Sequence, residues 1–244
     1  DNEHKEGNKM KVCLDAGHGN SELNCSPDKQ YYEYKFTWDI VNRVKAYLEQ
    51  LECFDVKLTK NSAEETPTLA ARANTANAFG ADLFVSSHSN SVGGNGWDDT
   101  VHGLTAWIYA LGGKREELAK IFLEQCAEQG IELFGTKLYT AKFAVLSKTN
   151  MPAMLIENYF HTCHSDVKKL TTDAEIDKLA YAQACAICEY FNVGANLRHE
   201  TTEEKAVQSE ARYAVAFESE ADVAKYIAAL AKQGINGIAV KENK

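Results

Sequence analysis

The sequence predicts an α/β protein of three layers, α/β/α, in which helices cover both faces of a largely parallel sheet. Short apolar runs alternate with segments of helical period from residue 11 to about residue 191, and this alternation is typical of repeated βαβ units. The chain has 244 residues, of which 45% are apolar, enough to bury a core of ordinary size. A small βαβ unit is predicted near the C-terminus.

Strands and helices alternate through the first part of the chain. Apolar residues return every three or four positions between Glu33 and Leu51, which predicts an amphipathic helix with Glu33 in or just before its first turn. A second helix is expected to have Thr66 as its cap, Pro67 as its first residue and Gly80 as its end. The apolar runs between these segments predict strands at residues 11–15, 54–59 and 81–86.

The same alternation continues in the second part of the domain. Thr172 and Glu175 have the spacing of a capping box, which predicts a last helix running to about Phe191. Before that helix we predict a loop at residues 91–102, a strand at 104–109, a helix at 114–129 and a strand at 154–156.

The chain is expected to divide into an α/β domain at residues 10–193, which carries the candidate catalytic residues described below, a linker at 194–210 and a small module at 211–244. The linker loses apolar periodicity and is rich in Thr and Glu. The module has the pattern of one βαβ unit, which is too small to bury both faces of its sheet. It therefore requires a partner, either the rest of the chain or a second copy in a homodimer. The dimer is the interpretation we favour.

The composition excludes several classes of protein. The formal charge is −9 and Lys and Arg form no cluster, so a nucleic-acid partner is not expected. No apolar run approaches the length of a membrane span, so no membrane partner is expected either. The seven cysteines are an odd number scattered along the chain, which predicts mostly reduced, buried thiols.

The N-terminal segment leaves two interpretations open. Residues 1–9 are polar and contain no apolar signal-peptide core. Either Met10 is the native start behind a tag remnant, or a secretory segment was removed before this chain was defined.

Three apolar runs each bring one chemically useful residue to the predicted sheet. His18 follows the first strand between Gly17 and Gly19, His88 follows a later strand, and Glu157 ends a third. Side chains beyond the carboxyl ends of parallel strands meet in the crevice where open α/β proteins bind ligands. The pattern therefore indicates an active site.

The residue types at this edge are those of a zinc site. A catalytic zinc ion takes three protein ligands from His nitrogen and carboxylate oxygen and leaves a fourth position for water. His18 and His88 supply two of the three. The acids that could supply the third are Glu22, Asp28, Glu33 and Asp39. Only the last two lie on or beside a regular element that would hold a ligand rigidly, and spacing does not choose between them.

Several motifs in order resemble the type 3 N-acetylmuramoyl-L-alanine amidase family. They are Asp-Ala-Gly-His-Gly at residues 15–19, Glu33 opening a helix, Arg72 and Asn74 ahead of Ala-Asp-Leu-Phe-Val-Ser-Ser-His-Ser-Asn at 81–90, and Met-Pro-Ala-Met-Leu-Ile-Glu-Asn-Tyr-Phe at 151–160. The resemblance covers residues 11–191. It implies a zinc hydrolase, with one Zn²⁺ per chain, that cuts the amide between N-acetylmuramic acid and L-alanine in peptidoglycan.

The resemblance also assigns roles to residues. His18, Glu33 and His88 match the family's zinc ligands, which selects Glu33 over Asp39, and Glu157 matches its catalytic glutamate. Residues 20–32 are similar to the form found in phage endolysins of the family. An enzyme of this kind acts on the cell wall, either from the cytoplasm before release or after secretion.

Other polar and aromatic residues are expected to have structural roles. Arg72 is predicted to pair with a carboxylate, and Asn90 to hold the loop after His88. Trp97 is either a stacking surface or a packing anchor. No functional role is expected for His102, His161 or His164.

Two other functions compete with the amidase. A zinc carboxypeptidase acting on stem peptides could use the same ligands. A catalytically inactive wall-binding module is the second alternative, although all four site residues are present. Two functions are likewise open for the C-terminal module: dimerisation, or binding to the cell wall as a peptidoglycan-binding repeat.

Overall fold

The structure is a computed structural model and describes residues 9–93, 96–194 and 197. The strands in this part are β1 (Met10–Ala16), β2 (Phe54–Leu58), β3 (Leu83–Asn90), β4 (Leu104–Ile108), β5 (Leu133–Thr140) and β6 (Ala153–Phe160). The helices are α1 (Glu33–Leu48), α2 (Leu69–Phe79), α3 (Gly113–Glu128), α4 (Ala144–Ser147), α5 (His164–Leu170) and α6 (Asp173–Tyr190).

The strands form one sheet in the order β2-β1-β3-β6-β4-β5. The first four of these strands are mutually parallel, whereas β4 runs antiparallel to β6 and β5 runs parallel to β4. The sheet is therefore largely parallel, and the predicted fold class is confirmed. The carboxyl ends of β1, β3 and β6 lie side by side at one edge, as expected for a ligand crevice.

Alternate residues of the strands point into two separate apolar clusters, one on each face of the sheet. On one face, Leu14, Val85 and Ile156 pack with residues of α1, α3 and α6. On the other face, Phe84 and Leu155 pack with residues of α2 and α4. Burial of these two clusters is the main favourable contribution to folding, at about 25 cal/mol per Å² of apolar surface, and it fixes the three layers.

The predicted cap of the second helix is wrong by two residues. The helix α2 begins at Leu69, and the cap is Thr68, whose hydroxyl accepts a hydrogen bond from the amide of Ala71 at 3.1 Å. Thr66 and Pro67 therefore precede the helix. The carbonyl of Pro67 accepts a hydrogen bond from Arg72 Nε. This bond connects the segment before α2 to the site described below.

The predicted capping box of the last helix is also wrong, although Thr172 is the residue that precedes α6. Its hydroxyl donates to the carbonyl of Lys168 at 2.6 Å, so it serves the end of α5. Glu175 forms an ion pair with Lys178 at 2.8 Å. The short helix α5, which the sequence did not predict, uses the hydroxyl that the capping box would need.

The strands that carry the site are longer than predicted. The strand β3 continues to Asn90 and β6 to Phe160, and the two remain paired beyond the apolar runs through His88 with Glu157 and Asn90 with Phe160. Glu157 therefore lies inside its strand. Polar residues can extend these strands because hydrogen bonds to the neighbouring strand satisfy their backbone groups. The apolar content of the sequence does not reveal this extension.

The described residues belong to one compact unit, Asp1–Arg198. The predicted linker lies almost wholly outside the described residues, and the predicted module at 211–244 lies entirely outside them, so both stay predictions. No helix in the described part is long and apolar enough to cross a membrane. All seven cysteines have free thiols, and four of them are buried.

Candidate active site

The site begins at the end of β1, where the chain turns sharply. His18 has a φ of +55°, a left-handed conformation that is unfavourable for most residues. Its carbonyl accepts hydrogen bonds from Arg72 Nη2 at 2.7 Å and Lys60 Nζ at 2.9 Å. Both cations are buried. They hold the turn and so fix the direction in which the imidazole leaves the strand.

His88 packs directly against the backbone of this turn. A side chain at Gly17 would overlap the imidazole of His88, so glycine is required for the close approach. Through this contact the ends of β1 and β3 present their two imidazoles together. The ring centroids of His18 and His88 are 4.9 Å apart and the ring planes are nearly perpendicular.

Glu33 enters the same space from the first turn of α1. Its Oε2 lies 3.4 Å from His18 Nε2, and its Oε1 lies 3.2 Å from His88 Nδ1. The amide of Ser89 donates to Oε1 at 2.8 Å, and the carboxylate is almost fully buried. Glu33 is therefore held rigidly between the two histidines.

The three side chains fit a zinc ion. One ligand atom from each of His18, Glu33 and His88 lies within 4.8 Å of the others. Two imidazoles and one carboxylate are a donor set of catalytic zinc, for which three protein ligands leave a position open. The side chain of His18 is 35% exposed, so this corner of the site is open to solvent. Asp39, the other acid that the sequence left open, forms an ion pair with Arg43 at 2.8 Å.

The charges around the cluster keep Glu33 ionised. Burial alone would raise the pKa of Glu33, but His88 and His18 beside it hold that pKa below its ordinary value. Burial lowers the pKa of His18, which favours the neutral imidazole. A carboxylate and a neutral imidazole are the forms that bind a metal ion.

Glu157 lies beside His88 on the neighbouring strand. The two residues are register partners in the parallel pair of β3 and β6, and their side chains point to the same face of the sheet. Glu157 Oε2 is buried and has no hydrogen-bond partner among the described residues. Burial raises the pKa of this carboxyl to about 8, with His88 lowering it and Glu33 raising it. A buried acid with a free oxygen is typical of a group that handles protons.

A residue that the sequence analysis did not single out supports His18 from behind. The side-chain amide of Asn24 lies 2.7 Å from His18 Nδ1. The nearer amide atom is the nitrogen, so its N–H donates to Nδ1 and holds the plane of the imidazole; rotation of the amide by 180° would present its oxygen to an Nδ1 proton and leave the Nε2 lone pair, which faces Glu33, for a metal ion. A lone Asn in an irregular stretch gives no sequence signal for this contact.

His161 was expected to have no functional role, yet it lies beneath the cluster. Its Nδ1 is 2.9 Å from the hydroxyl of Ser89, which also accepts a hydrogen bond from the hydroxyl of Tyr31 at 2.9 Å. Ser89 is the residue whose amide holds Glu33. This buried network is a support for Glu33, formed by residues that are distant in sequence.

The other residues with expected structural roles lie in structural contacts. Arg72 Nη1 pairs with Asp15 at 2.7 Å, as predicted. The side chain of Asn90 accepts from the amide of Ser91. The remaining three form contacts away from the cluster: Trp97 stacks on His164 at 3.8 Å, His164 pairs with Asp99, and His102 pairs with Glu132.

The fold and the cluster together are typical of a mononuclear metal hydrolase on an α/β scaffold. The model of one protein family, N-acetylmuramoyl-L-alanine amidase, matches residues 12–189 of this chain. The match covers well over half of the sequence and all four candidate site residues. The chain belongs to this family, as the motifs indicated.

Individual relatives agree with the family match. The sporulation-specific N-acetylmuramoyl-L-alanine amidase of Bacillus subtilis (strain 168) is 30% identical over 185 residues, which are 75% of this chain and 69% of that protein. The endolysin of Bacillus phage SPP1 is 33% identical over 183 residues, which are 75% of this chain and 66% of that protein.

Solved structures show the same fold. The N-acetylmuramoyl-L-alanine amidase of Clostridium difficile 630 superposes with a TM-score of 0.68 at 25% identity, over 78% of this chain and 100% of that chain. The catalytic domain of CwlV from Bacillus (Paenibacillus) polymyxa var. colistinus also gives a TM-score of 0.68, at 24% identity, over 75% of this chain and 99% of that chain.

Proposed function

We propose that this chain is a zinc-dependent amidase that hydrolyses the bond between the lactyl group of N-acetylmuramic acid and L-alanine in bacterial peptidoglycan. The observation that carries the proposal is the meeting of His18, Glu33 and His88 next to a buried carboxyl with a free oxygen, Glu157. The family match supports the substrate class. The zinc, one ion per chain, would be held by the first three residues.

Each residue has a distinct part in the proposed reaction. Zinc, when bound, lowers the pKa of water to about 7 and polarises a carbonyl. Glu157 takes the proton of the attacking water at its free oxygen and passes it to the amine of the leaving L-alanine. General acid–base catalysis of this kind contributes about 10²- to 10⁴-fold in rate. Asn24 and Ser89 keep the imidazole of His18 and the carboxylate of Glu33 in place.

The test is a single set of measurements on the purified chain. Zinc content is measured, purified cell walls are digested with and without chelator, and the products are identified by mass spectrometry. We expect about one zinc per chain and chelator-sensitive release of intact stem peptides beginning with L-alanine. Stem peptides shortened at their carboxyl end would indicate a carboxypeptidase, and wall binding without products would indicate an inactive binding module.

The role of Glu157 is tested by Glu157→Gln. The variant should keep its zinc and lose at least about 10²-fold in rate, whereas Glu52→Gln, at an exposed position, should keep both. Normal lysis by Glu157→Gln would contradict the assignment.

We further propose that residues 10–193 form the catalytic domain, 194–210 a linker and 211–244 a βαβ module through which two copies associate. The enzyme would act on the cell wall, as a relative that is an endolysin suggests. Light scattering of the intact chain over a range of concentrations tests the association, and a monomer at every concentration would exclude it.

A further inference from the structure

Three aromatic side chains continue the catalytic face of the sheet away from Glu157. Trp107 of β4 stacks on Tyr139 of β5, with ring centroids 4.8 Å apart and planes 22° apart. Phe143, just before α4, lies 5.5 Å from Trp107 and is 37% exposed. We call these three rings the aromatic platform. Trp107 and Tyr139 are partly exposed, so the platform is open to a ligand.

The strand register connects the platform to the catalytic acid. In the antiparallel pair of β4 and β6, Thr105 is opposite Glu157 and Trp107 is opposite Leu155. Residues two apart on a strand share a face, so Thr105, Trp107 and Glu157 all point to the same side of the sheet. Trp107 lies about 7 Å along the strand from the position of Glu157, at a rise of about 3.3 Å per residue.

A hydrogen bond fixes the orientation of the indole. Trp107 Nε1 donates to the hydroxyl of Thr105 at 3.0 Å, so the edge of the ring is turned towards the residue that faces Glu157. The indole is also nearly parallel to the ring of Tyr139. The two stacked rings cover each other on one face, and Phe143 is tilted by 46° to the indole. The platform is therefore a preorganised group of rings beside the residue that faces Glu157.

We propose that the aromatic platform binds the pyranose ring of the N-acetylmuramic acid residue whose lactyl amide is cut. The inference rests on the proposed function and deepens it. A pyranose has a face of apolar C–H groups that packs flat on an aromatic ring, which offers a large apolar surface at little entropic cost. In the proposed substrate only a short lactyl ether separates this sugar from the scissile amide, which matches the short path from Glu157 to Trp107.

The chemistry of the platform favours the sugar over the stem peptide. Stem peptides carry ionised carboxylates, and a subsite for them would use cationic side chains. The three rings of the platform offer apolar faces. The polar group of Tyr139, its hydroxyl, accepts a hydrogen bond from the amide of Thr136 within β5. The platform is therefore a specificity element for the glycan side of the scissile bond.

The kinetic test compares two substrates that share the scissile amide. One is an N-acetylmuramyl peptide, and the other is the same peptide carrying only a lactoyl group in place of the sugar. We expect Trp107→Ala to lower the ratio of kcat/KM for the first substrate over the second by about tenfold or more. Phe143→Ala, at an exposed position, should lower it in the same direction. Tyr190→Ala, a half-buried aromatic on α6, is the matched control and should leave the ratio unchanged.

A binding test avoids dependence on turnover and on the fold of one variant. Glycan strands stripped of their peptides are titrated into Glu157→Gln, and tryptophan fluorescence is followed. The signal should change on binding and should be lost in Glu157→Gln/Phe143→Ala, which keeps Trp107 as the reporter. Free stem peptides should not compete.

The measurements distinguish an error in the sugar subsite from an error in the proposed function. If the wild-type chain releases no stem peptides from cell walls, the proposed function itself is wrong. If it does release them but Trp107→Ala leaves the kinetic ratio unchanged, or glycan strands do not bind, or stem peptides displace them, the sugar subsite is excluded.

Discussion

Arg72 connects the two ends of the segment that presents His18. Its Nη1 pairs with the fully buried carboxylate of Asp15 at 2.7 Å, and its Nη2 donates to the carbonyl of His18 at 2.7 Å. Burial would raise the pKa of Asp15, but Arg72 and the hydroxyls of Ser86 and Thr59 hold it below its ordinary value. The ion pair therefore links the stability of the core to the geometry of the candidate metal site.

We expect Arg72→Met to be strongly destabilising. Removal of the guanidinium leaves the carboxylate of Asp15 buried without its countercharge, which costs about 3–5 kcal/mol. Denaturant unfolding measures the change in the free energy of unfolding. The double variant Asp15→Asn/Arg72→Met should recover part of the loss, and Arg115→Met, at a more exposed position, should have little effect. If the loss in the double variant equalled the sum of the losses in the two single variants, Asp15 and Arg72 would not be coupled.

The sequence predicted the fold class and the meeting of His18, Glu33 and His88 better than it predicted the helix caps. His18, His88 and Glu157 could be found because each interrupts or follows an apolar run that becomes a buried strand. Glu33 and Asp39 could not be separated by spacing, because both lie on one helix. The two residues are six positions apart, and a rotation of about 100° per residue places them on different sides of α1. Only the packed fold shows that Glu33 faces the histidines and that Asp39 pairs with Arg43.

Other features depend on contacts that a local pattern does not contain. The strand β5 is half exposed and includes Gly135 and Lys137, both with positive φ, so its sequence has neither alternation nor a continuous apolar run. The cap of α2 was misplaced because Thr68, two residues after Thr66, offers the same hydroxyl, and the capping box at Thr172 fails because its hydroxyl serves the carbonyl of Lys168 instead. The support of His18 by Asn24 is likewise a tertiary contact.

Asn24 is expected to tune metal binding through His18. In Asn24→Ala the side-chain amide is removed, so the imidazole of His18 can take either tautomer. Loss of such a partner typically costs 10- to 100-fold in metal affinity. Competition with a fluorescent chelator measures the zinc affinity. Asn42→Ala is the matched control, because Asn42 donates to the carbonyl of Trp38 within α1. An unchanged affinity in Asn24→Ala would show that the contact does not orient the imidazole.

Gly17 is expected to tolerate no side chain. A methyl group there would overlap the imidazole of His88, so Gly17→Ala should displace the ring, lower zinc affinity and cost about 1–3 kcal/mol of stability from overpacking. Gly93→Ala is the control, since open space surrounds that position. Zinc affinity and thermal unfolding are measured for both. A Gly17→Ala protein with normal zinc affinity would mean that His88 is not held at this position for a metal.

The buried carboxyl of Glu157 should make the metal-free protein less stable at alkaline pH. Its pKa in the folded protein is about 8, against an ordinary value of 4.5, so folding favours the protonated form. This contribution is complete below about pH 4.5 and is lost as the pH rises through about 8, where the carboxylate is buried beside Glu33 with only His88 to offset it.

Glu157→Gln remains neutral throughout that range and isolates the effect. In the presence of chelator, the melting temperature of Glu157→Gln minus that of the wild type should increase from pH 5 to pH 9. The corresponding difference in the free energy of unfolding should reach on the order of a few kcal/mol, because each unit of pKa shift is worth about 1.4 kcal/mol. Glu52→Gln, at an exposed position, should show no such trend. A difference that is constant with pH would mean that the pKa of Glu157 in the folded, metal-free protein is not raised by burial.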